Sequence, residues 1–147
     1  MNRQPITSNP EDRTAALSVV GIRITVLATR DQTGSHEVTL QEGPEGAGPP
    51  PHSHGWDESF FVLHGDVDYL VDGKPVRAST GSFVHLPAGA VHTFRFGPGG
   101  GAMLEIAGHG SNATAMFRHL DKEVPPGPPD LPKVVAILAE HGVRLGA

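Results

Sequence analysis

Turn signals punctuate this chain at intervals of roughly 8–12 residues, a spacing that leaves room only for short strands folded back on one another. They are Asp31-Gln32-Thr33-Gly34, His64-Gly65-Asp66, Asp72-Gly73, Thr80-Gly81, Pro87-Ala88-Gly89-Ala90 and Gly97-Pro98-Gly99-Gly100-Gly101. Between them lie strand-like runs over 60–63, 67–71, 75–78, 82–86, 91–96 and 102–107. Asp72-Gly73 is the strongest turn, because Asp-Gly readily supplies the positive φ angles of a two-residue hairpin loop. Upstream, residues 19–29 and 36–41 read as a hairpin closed by residues 31–34. Ile22, Ile24 and Val26 alternate with Arg23 and Thr25, the period of a half-buried strand. Residues 43–51 are dominated by Gly and Pro, so they read as an extended loop and not as helix. The pattern predicts an all-β barrel or sandwich.

Both ends differ from this middle. Residues 1–16 are polar and broken by Pro5 and Pro10; they read as an N-terminal arm, followed by a β-barrel over residues 17–110. Residues 111–147 read as a helical tail. Ser111 is placed to cap a short helix through Leu120, and residues 124–132 form a proline-rich linker. Asp130 then caps a helix over about 131–141, with Val134, Val135, Ile137 and Leu138 as its apolar stripe and Gly142 as its stop. A helix this short must dock on the barrel to be stable.

Composition narrows the function classes. The 147-residue chain is long enough to bury a core, and it has no cysteine. Disulfides, thiolate metal ligands and cysteine nucleophiles are therefore excluded. The net charge is -5, with 11 Lys+Arg against 16 Asp+Glu and no basic run. Nucleic acid is not an expected partner, since its binding rests on neutralising phosphates. The start has no apolar signal-peptide core, and no window reaches the roughly 18 apolar residues of a membrane span. A cytoplasmic protein with no membrane partner is expected.

Nine histidines accompany a single Trp and a single Tyr, and their spacing carries the chemistry. His52 and His54 are two apart in an extended segment, so their side chains leave the same face. Taken alone, such a pair reads at least as readily as two solvated histidines. Glu58 opens the next strand after a Gly55-Trp56-Asp57 bend, and His92 arrives from a distant strand. Three imidazole nitrogens and one carboxylate oxygen suit one divalent transition metal ion: Fe, Ni, Mn, Co, Cu or Zn. Four protein ligands leave a six-coordinate ion two positions for water, substrate or O₂.

These residues sit in two longer patterns. Gly46-x5-His52-x-His54-x3-Glu58-x6-Gly65 and Gly81-x5-Pro87-x-Gly89-x2-His92 resemble the two motifs of the cupin superfamily at every defined position. Fifteen residues separate Gly65 from Gly81, similar to the compact spacing of microbial single-domain cupins. One position departs: Phe96 stands where the second motif usually closes with Asn, which is not a metal ligand in the family. The resemblance covers about residues 21–107, and the tail resembles single-domain quercetinase-like cupins. It implies a double-stranded β-helix (jelly-roll) barrel with a short C-terminal helical tail. It also implies a metal at His52, His54, Glu58 and His92, and a homodimer formed through sheet edges and the C-terminal helix. Quercetinase-like dioxygenase activity, with Glu58 doubling as general base, is the first function it implies. A zinc-dependent aromatic polyketide cyclase is the second, and a small-molecule-binding cupin without catalysis the third.

Other residues refine the expectation. Phe83 and His85 share one face of their strand and Ser82, Val84 and Leu86 the other. If the Phe83 face lines the cavity, His85 is a candidate acid/base; otherwise it faces solvent. Phe60, Phe61, Val62, Leu63, Phe83, Phe94, Phe96, Met103 and Ile106 supply one apolar set for the core and another for a pocket. An apolar pocket over a metal favours an apolar or aromatic substrate. His36, His109, His119 and His141 fall into no pattern.

Overall fold

The computed structural model describes residues 3–146. After a short 3-10 turn at Pro10–Asp12 come β1 (Leu17–Val19), β2 (Ile22–Ala28), α1 (Arg30–Thr33) and β3 (Glu37–Gly43). Next are β4 (His52–His54), β5 (Glu58–His64), β6 (Val67–Val71), β7 (Lys74–Ala78), β8 (Phe83–Leu86), β9 (His92–Phe96) and β10 (Gly101–Ala107). The tail holds α2 (Ala113–Glu123), α3 (Leu131–Glu140) and β11 (Val143–Leu145). The strands form a six-stranded sheet ordered β1-β2-β3-β10-β5-β8 and a five-stranded sheet ordered β11-β4-β9-β6-β7. All pairings are antiparallel. This is the expected all-β jelly roll with a short helical tail.

Local chemistry explains where the expectation holds and where it slips. Asp72 and Gly73 adopt φ of 48° and 79° and close the β6–β7 hairpin as read. The run over 19–29 is instead two strands, reversed at Val20 and Gly21 with φ of 47° and 85°. A β-branched residue rarely adopts positive φ, so Val20 hides this turn from a sequence reading. Residues 30–33 are a helical turn: the Thr29 side chain accepts from Gln32 N–H, and the Gln32 side chain accepts from Thr29 N–H. This capping box satisfies two N–H groups at the start of the turn, Gly34 closes its end by donating to Arg30 O, and the turn still joins β2 to antiparallel β3.

The core lies between the sheets. Phe60, Tyr69 and Phe94 form a triangle of rings 5.5–5.9 Å apart, and the Tyr69 hydroxyl donates to Met103 Sδ at 3.2 Å. Phe96, at the position of the motif's usual Asn, is a fully buried core residue. One expectation is reversed. On β3 the inward residues are Glu37, Thr39 and Gln41, all buried, while Val38 and Leu40 point outward. Phe61, Leu63, Phe83 and Ile106 are likewise exposed on the outer face of the six-stranded sheet. The second apolar set therefore clads the outside of the barrel and does not line a pocket.

The tail docks through buried polar contacts. Glu37 Oε1 accepts from Ser111 Oγ at 3.0 Å and from Thr114 N–H at 3.2 Å, so a β3 carboxylate faces the N-terminus of α2. Ser111 also accepts from Ala113 N–H at 3.0 Å, ahead of a helix that starts at Ala113. Asp130 caps α3 by accepting from Lys133 N–H. Val134, Ile137 and Leu138 are buried, whereas Val135 is 45% exposed and leaves the apolar stripe. Beyond Gly142 the chain adds β11 against β4, pairing Val143 with His54 and Leu145 with His52. Three residues are too few to show a strand period, so this strand is silent in the sequence.

The loop before His52 is strapped to β9. Gly46 N–H donates to Phe96 O at 2.8 Å, Phe96 N–H to Ala47 O at 3.0 Å, and Arg95 Nη1 to Pro49 O at 2.6 Å. A Cβ at Gly48 would stand 1.7 Å from Phe94 O, so any side chain must push the loop off the strand. Gly48→Ala is predicted to lower stability by about 1–3 kcal/mol. Gly46→Ala, where a Cβ meets nothing, should lose only the roughly 1 kcal/mol of an unfavourable positive φ. Urea unfolding of the two variants checks the order.

Candidate metal centre

Three histidines converge because the strands pair in one register. His52 on β4 lies directly opposite His92 on β9. His54 follows two residues on, and its ring comes within 5.0 Å of that of His92. One nitrogen from each of the three rings lies within 4.8 Å of the others. Glu58 enters from the other sheet, at the start of β5, with Oε2 2.9 Å from His54 Nε2 and 3.0 Å from His92 Nε2. Trp56, in the bend that links the sheets, is buried and stacks on His54 at 4.3 Å with the planes 9° apart.

Each imidazole is oriented by the backbone. The Nδ1 groups of His52, His54 and His92 donate to the carbonyls of Pro50, Trp56 and Ala90 at 2.9, 3.0 and 2.9 Å. That fixes the tautomer and turns every Nε2 lone pair toward the cluster, as outer contacts do in metal sites. A neutral imidazole has only one N–H, already committed at Nδ1. The Nε2 atoms of His54 and His92 therefore face the Glu58 oxygen with no proton of their own, unless the rings are charged. His92 Nε2 is poorly aligned on Glu58 and is a buried nitrogen without a hydrogen-bond partner. A cation among these atoms satisfies all of them. Ligand atoms about 2.0–2.1 Å from one ion stand about 3.0 Å apart at right angles and about 3.4 Å apart at tetrahedral angles. The 2.9 and 3.0 Å separations bring these atoms close enough to share one ion.

In the metal-free site the charge of each group follows from its burial and its neighbours. Burial, followed by the nearby His92, pushes His52 down to about 4, so its ring is neutral near neutral pH. Burial disfavours the Glu58 charge, but the neighbouring Glu105, His54 and His92 groups outweigh it and hold Glu58 well below the usual carboxylate range. Burial works against a charged His92 too, and the Glu58 carboxylate overrides it, raising that group. Glu105 goes the other way: burial and then the charge on Glu58 push it well above the usual range. The two carboxyls are thus pushed in opposite directions, and Glu58 is the one of the pair that ionises more readily.

Glu105 is the site residue that sequence reasoning missed. It sits on β10 between Met103 and Ala107 on the inward face, with Thr39 Oγ1 donating to its Oε1 at 3.1 Å. A carboxylate at an inward-facing position is the signal that could have found it. His85 corrects the other way. It lies with Phe83 on the exposed face of β8, 2.8 Å from Ser59 Oγ and 3.9 Å from Asp57 Oδ2, away from the cluster. The jelly roll faces Val84 and Leu86 inward, so His85 takes the solvent-facing alternative.

A cavity of about 130 Å³ opens on the cluster. A water needs roughly 10–15 Å³ of such space, so it holds about ten waters or one small ring system. Its polar lining is His52, His54, Glu58, Gln41 and Glu105. Much of its apolar lining comes from the tail: Met116, Phe117 and Leu120 of α2, and Val134 and Leu138 of α3.

With this geometry in view, the relatives are informative. The cupin domain family matches residues 36–104. The match takes in His52, His54, Glu58 and His92. Among characterised proteins it is 34% identical over 71 residues to Quercetin 2,3-dioxygenase of Bacillus subtilis, a match covering 48% of this chain and 21% of that one. The fold is similar to a RmlC-like cupin from Shewanella frigidimarina, with a TM-score of 0.66 and 17% identity over 78% of this chain and 99% of that one. It is also similar to the polyketide cyclase RemF from Streptomyces resistomycificus, with a TM-score of 0.62 and 21% identity over 71% and 80% of the two chains.

The His52 shift gives a pH prediction. Its folded value of about 4 lies below the unfolded 6.5, so the unfolded chain binds the proton first and stability falls as pH drops through that window. Metal-free His52→Gln should lose stability less steeply than wild type between about pH 6.5 and 4, as read by chemical unfolding at stepped pH.

Proposed function

We propose that this protein is a metal-dependent cupin enzyme acting on a small, apolar, aromatic or phenolic molecule, with His52, His54, His92 and Glu58 holding one divalent transition metal ion. The observation that carries this reading is three oriented imidazoles and a readily ionised carboxylate, of which His52, His54 and Glu58 line an apolar cavity. Such an ion supplies Lewis acidity, which eases loss of a proton from a phenolic or enolic oxygen. The chain supplies the rest. Glu58 ionises readily and can take that proton as general base. Glu105, hydrogen-bonded behind it, offers a second carboxyl through which the proton can be shared. Met116, Phe117 and Leu138 keep water from the ring and orient it.

Two reactions fit these roles. Dioxygen-dependent cleavage of a flavonol-like ring is the first, supported by the 34% identity to Quercetin 2,3-dioxygenase. Cyclisation of an aromatic polyketide is the second. It is favoured by the Glu58–Glu105 pair, which moves a proton without an oxidant, and by the likeness to RemF over 80% of that chain. We also propose a homodimer. The outer face of the six-stranded sheet carries Phe61, Leu63, Phe83 and Ile106, each 39–63% exposed, and a second copy would bury them.

Elemental analysis paired with O₂ uptake on a flavonol and phenolic panel tests the reaction. The expected result is one redox-active ion that His92→Ala removes, O₂ consumption, and a kcat about 10²–10⁴-fold lower in Glu58→Gln. Zinc that His92→Ala removes, without O₂ consumption, selects the cyclase, and no ion lost in His92→Ala leaves a binding protein. In light scattering after gel filtration, wild type should run as a dimer and the Phe61→Glu/Phe83→Glu variant as a monomer. A monomeric wild type would sink the dimer.

A further inference from the structure

A second cluster of ligating side chains lies on the tail, outside the barrel. His119 on α2 and His141 at the end of α3 bring Nδ1 and Nε2 to 3.0 Å, and Glu140 Oε2 lies 3.7 Å from His119 Nδ1. One atom from each residue falls within 4.8 Å of the other two. We propose that His119, Glu140 and His141 bind a second divalent ion of the zinc type, which clamps α2 to α3 across the roof of the cavity. Two imidazoles and one carboxylate are a donor set that zinc takes with a fourth position open to water. This proposal does not rest on the first metal centre or on its reaction.

The backbone already holds the ligands in place. The His141 N–H donates to Leu138 O at 3.0 Å, and Asn112 Nδ2 donates to His141 O at 3.2 Å. His119 is a helical residue, its ring set edge-on to His141 at 80° and its side chain about two-thirds covered. Little freedom of the two imidazoles remains to be lost on binding an ion, whereas the Glu140 side chain, 65% exposed, is ordered by it. A further tie between the helices is the Lys133–Glu123 ion pair at 3.5 Å, which is half-exposed and weak.

The position gives the clamp a consequence. Met116 and Leu120 flank His119 on α2, and Leu138 precedes Glu140 on α3; all three apolar residues line the cavity. Gly142, next to His141, packs at the ring of Trp56, where a Cβ would stand 3.9 Å away, and Trp56 stacks on His54. An ion that joins the helices therefore stiffens the wall that covers the substrate.

The test is zinc titrated into untagged, chelator-stripped protein, followed by calorimetry and thermal melting. Wild type should bind two ions per chain, and His119→Ala/His141→Ala one, with a metal-free melting point within a few degrees of wild type. His52→Ala/His92→Ala should keep one ion, and that ion should still raise its melting point. A single ion lost in His119→Ala/His141→Ala would support the clamp while counting against the first centre. A zinc count that His119→Ala/His141→Ala leaves unchanged would overturn the clamp, the two rings being then only hydrogen-bonded.

Discussion

The readily ionised Glu58 carboxylate is the constraint around which the rest of this structure is arranged. A buried charge is costly unless it is paired and hydrogen-bonded, and Glu58 is nearly inaccessible. Its compensation comes from the whole barrel. His54 reaches it from β4, His92 from β9, and Glu105 from β10. Those strands belong to both sheets, so the register of the jelly roll and the charge state of the site depend on one another. The same carboxylate keeps the imidazoles turned inward against the backbone carbonyls that orient them.

The polar interior follows from this. Glu37, Thr39 and Gln41 are buried on β3, although its apolar residues, Val38 and Leu40, would ordinarily face inward. Each inward group has work that an aliphatic side chain cannot do. Thr39 donates to Glu105, Gln41 lines the cavity, and Glu37 meets the N-terminus of α2. Moving polar groups inside leaves Val38 and Leu40 on the outside of β3, beside the exposed Phe61 of β5 and Phe83 of β8. Interior chemistry and exterior stickiness are thus two sides of the same alternation.

The tail completes the cavity. The barrel alone supplies the metal-type donors, but α2 and α3 supply much of the apolar cover. β11 then pairs with β4 and stitches the tail to the strand that carries His52 and His54. A change in the tail is therefore also a change at the site.

The sequence by itself determined the class of fold and the donor set. Asp72-Gly73, the spacing of His52, His54 and Glu58, and the Pro87-x-Gly89-x2-His92 run are local patterns, and local backbone preference is enough to read them. Asp130 and the buried residues of α3 were legible for the same reason. Only the tertiary structure decided which face of each strand is inside. That choice put His85 in solvent, brought Glu105 behind Glu58, and set His119 against His141. Period-two alternation names two faces without saying which one is buried, and contacts between residues distant in sequence leave no local pattern to read. The buried face is fixed by the partner sheet and the docked tail, through the charge and hydrogen bonds they can satisfy.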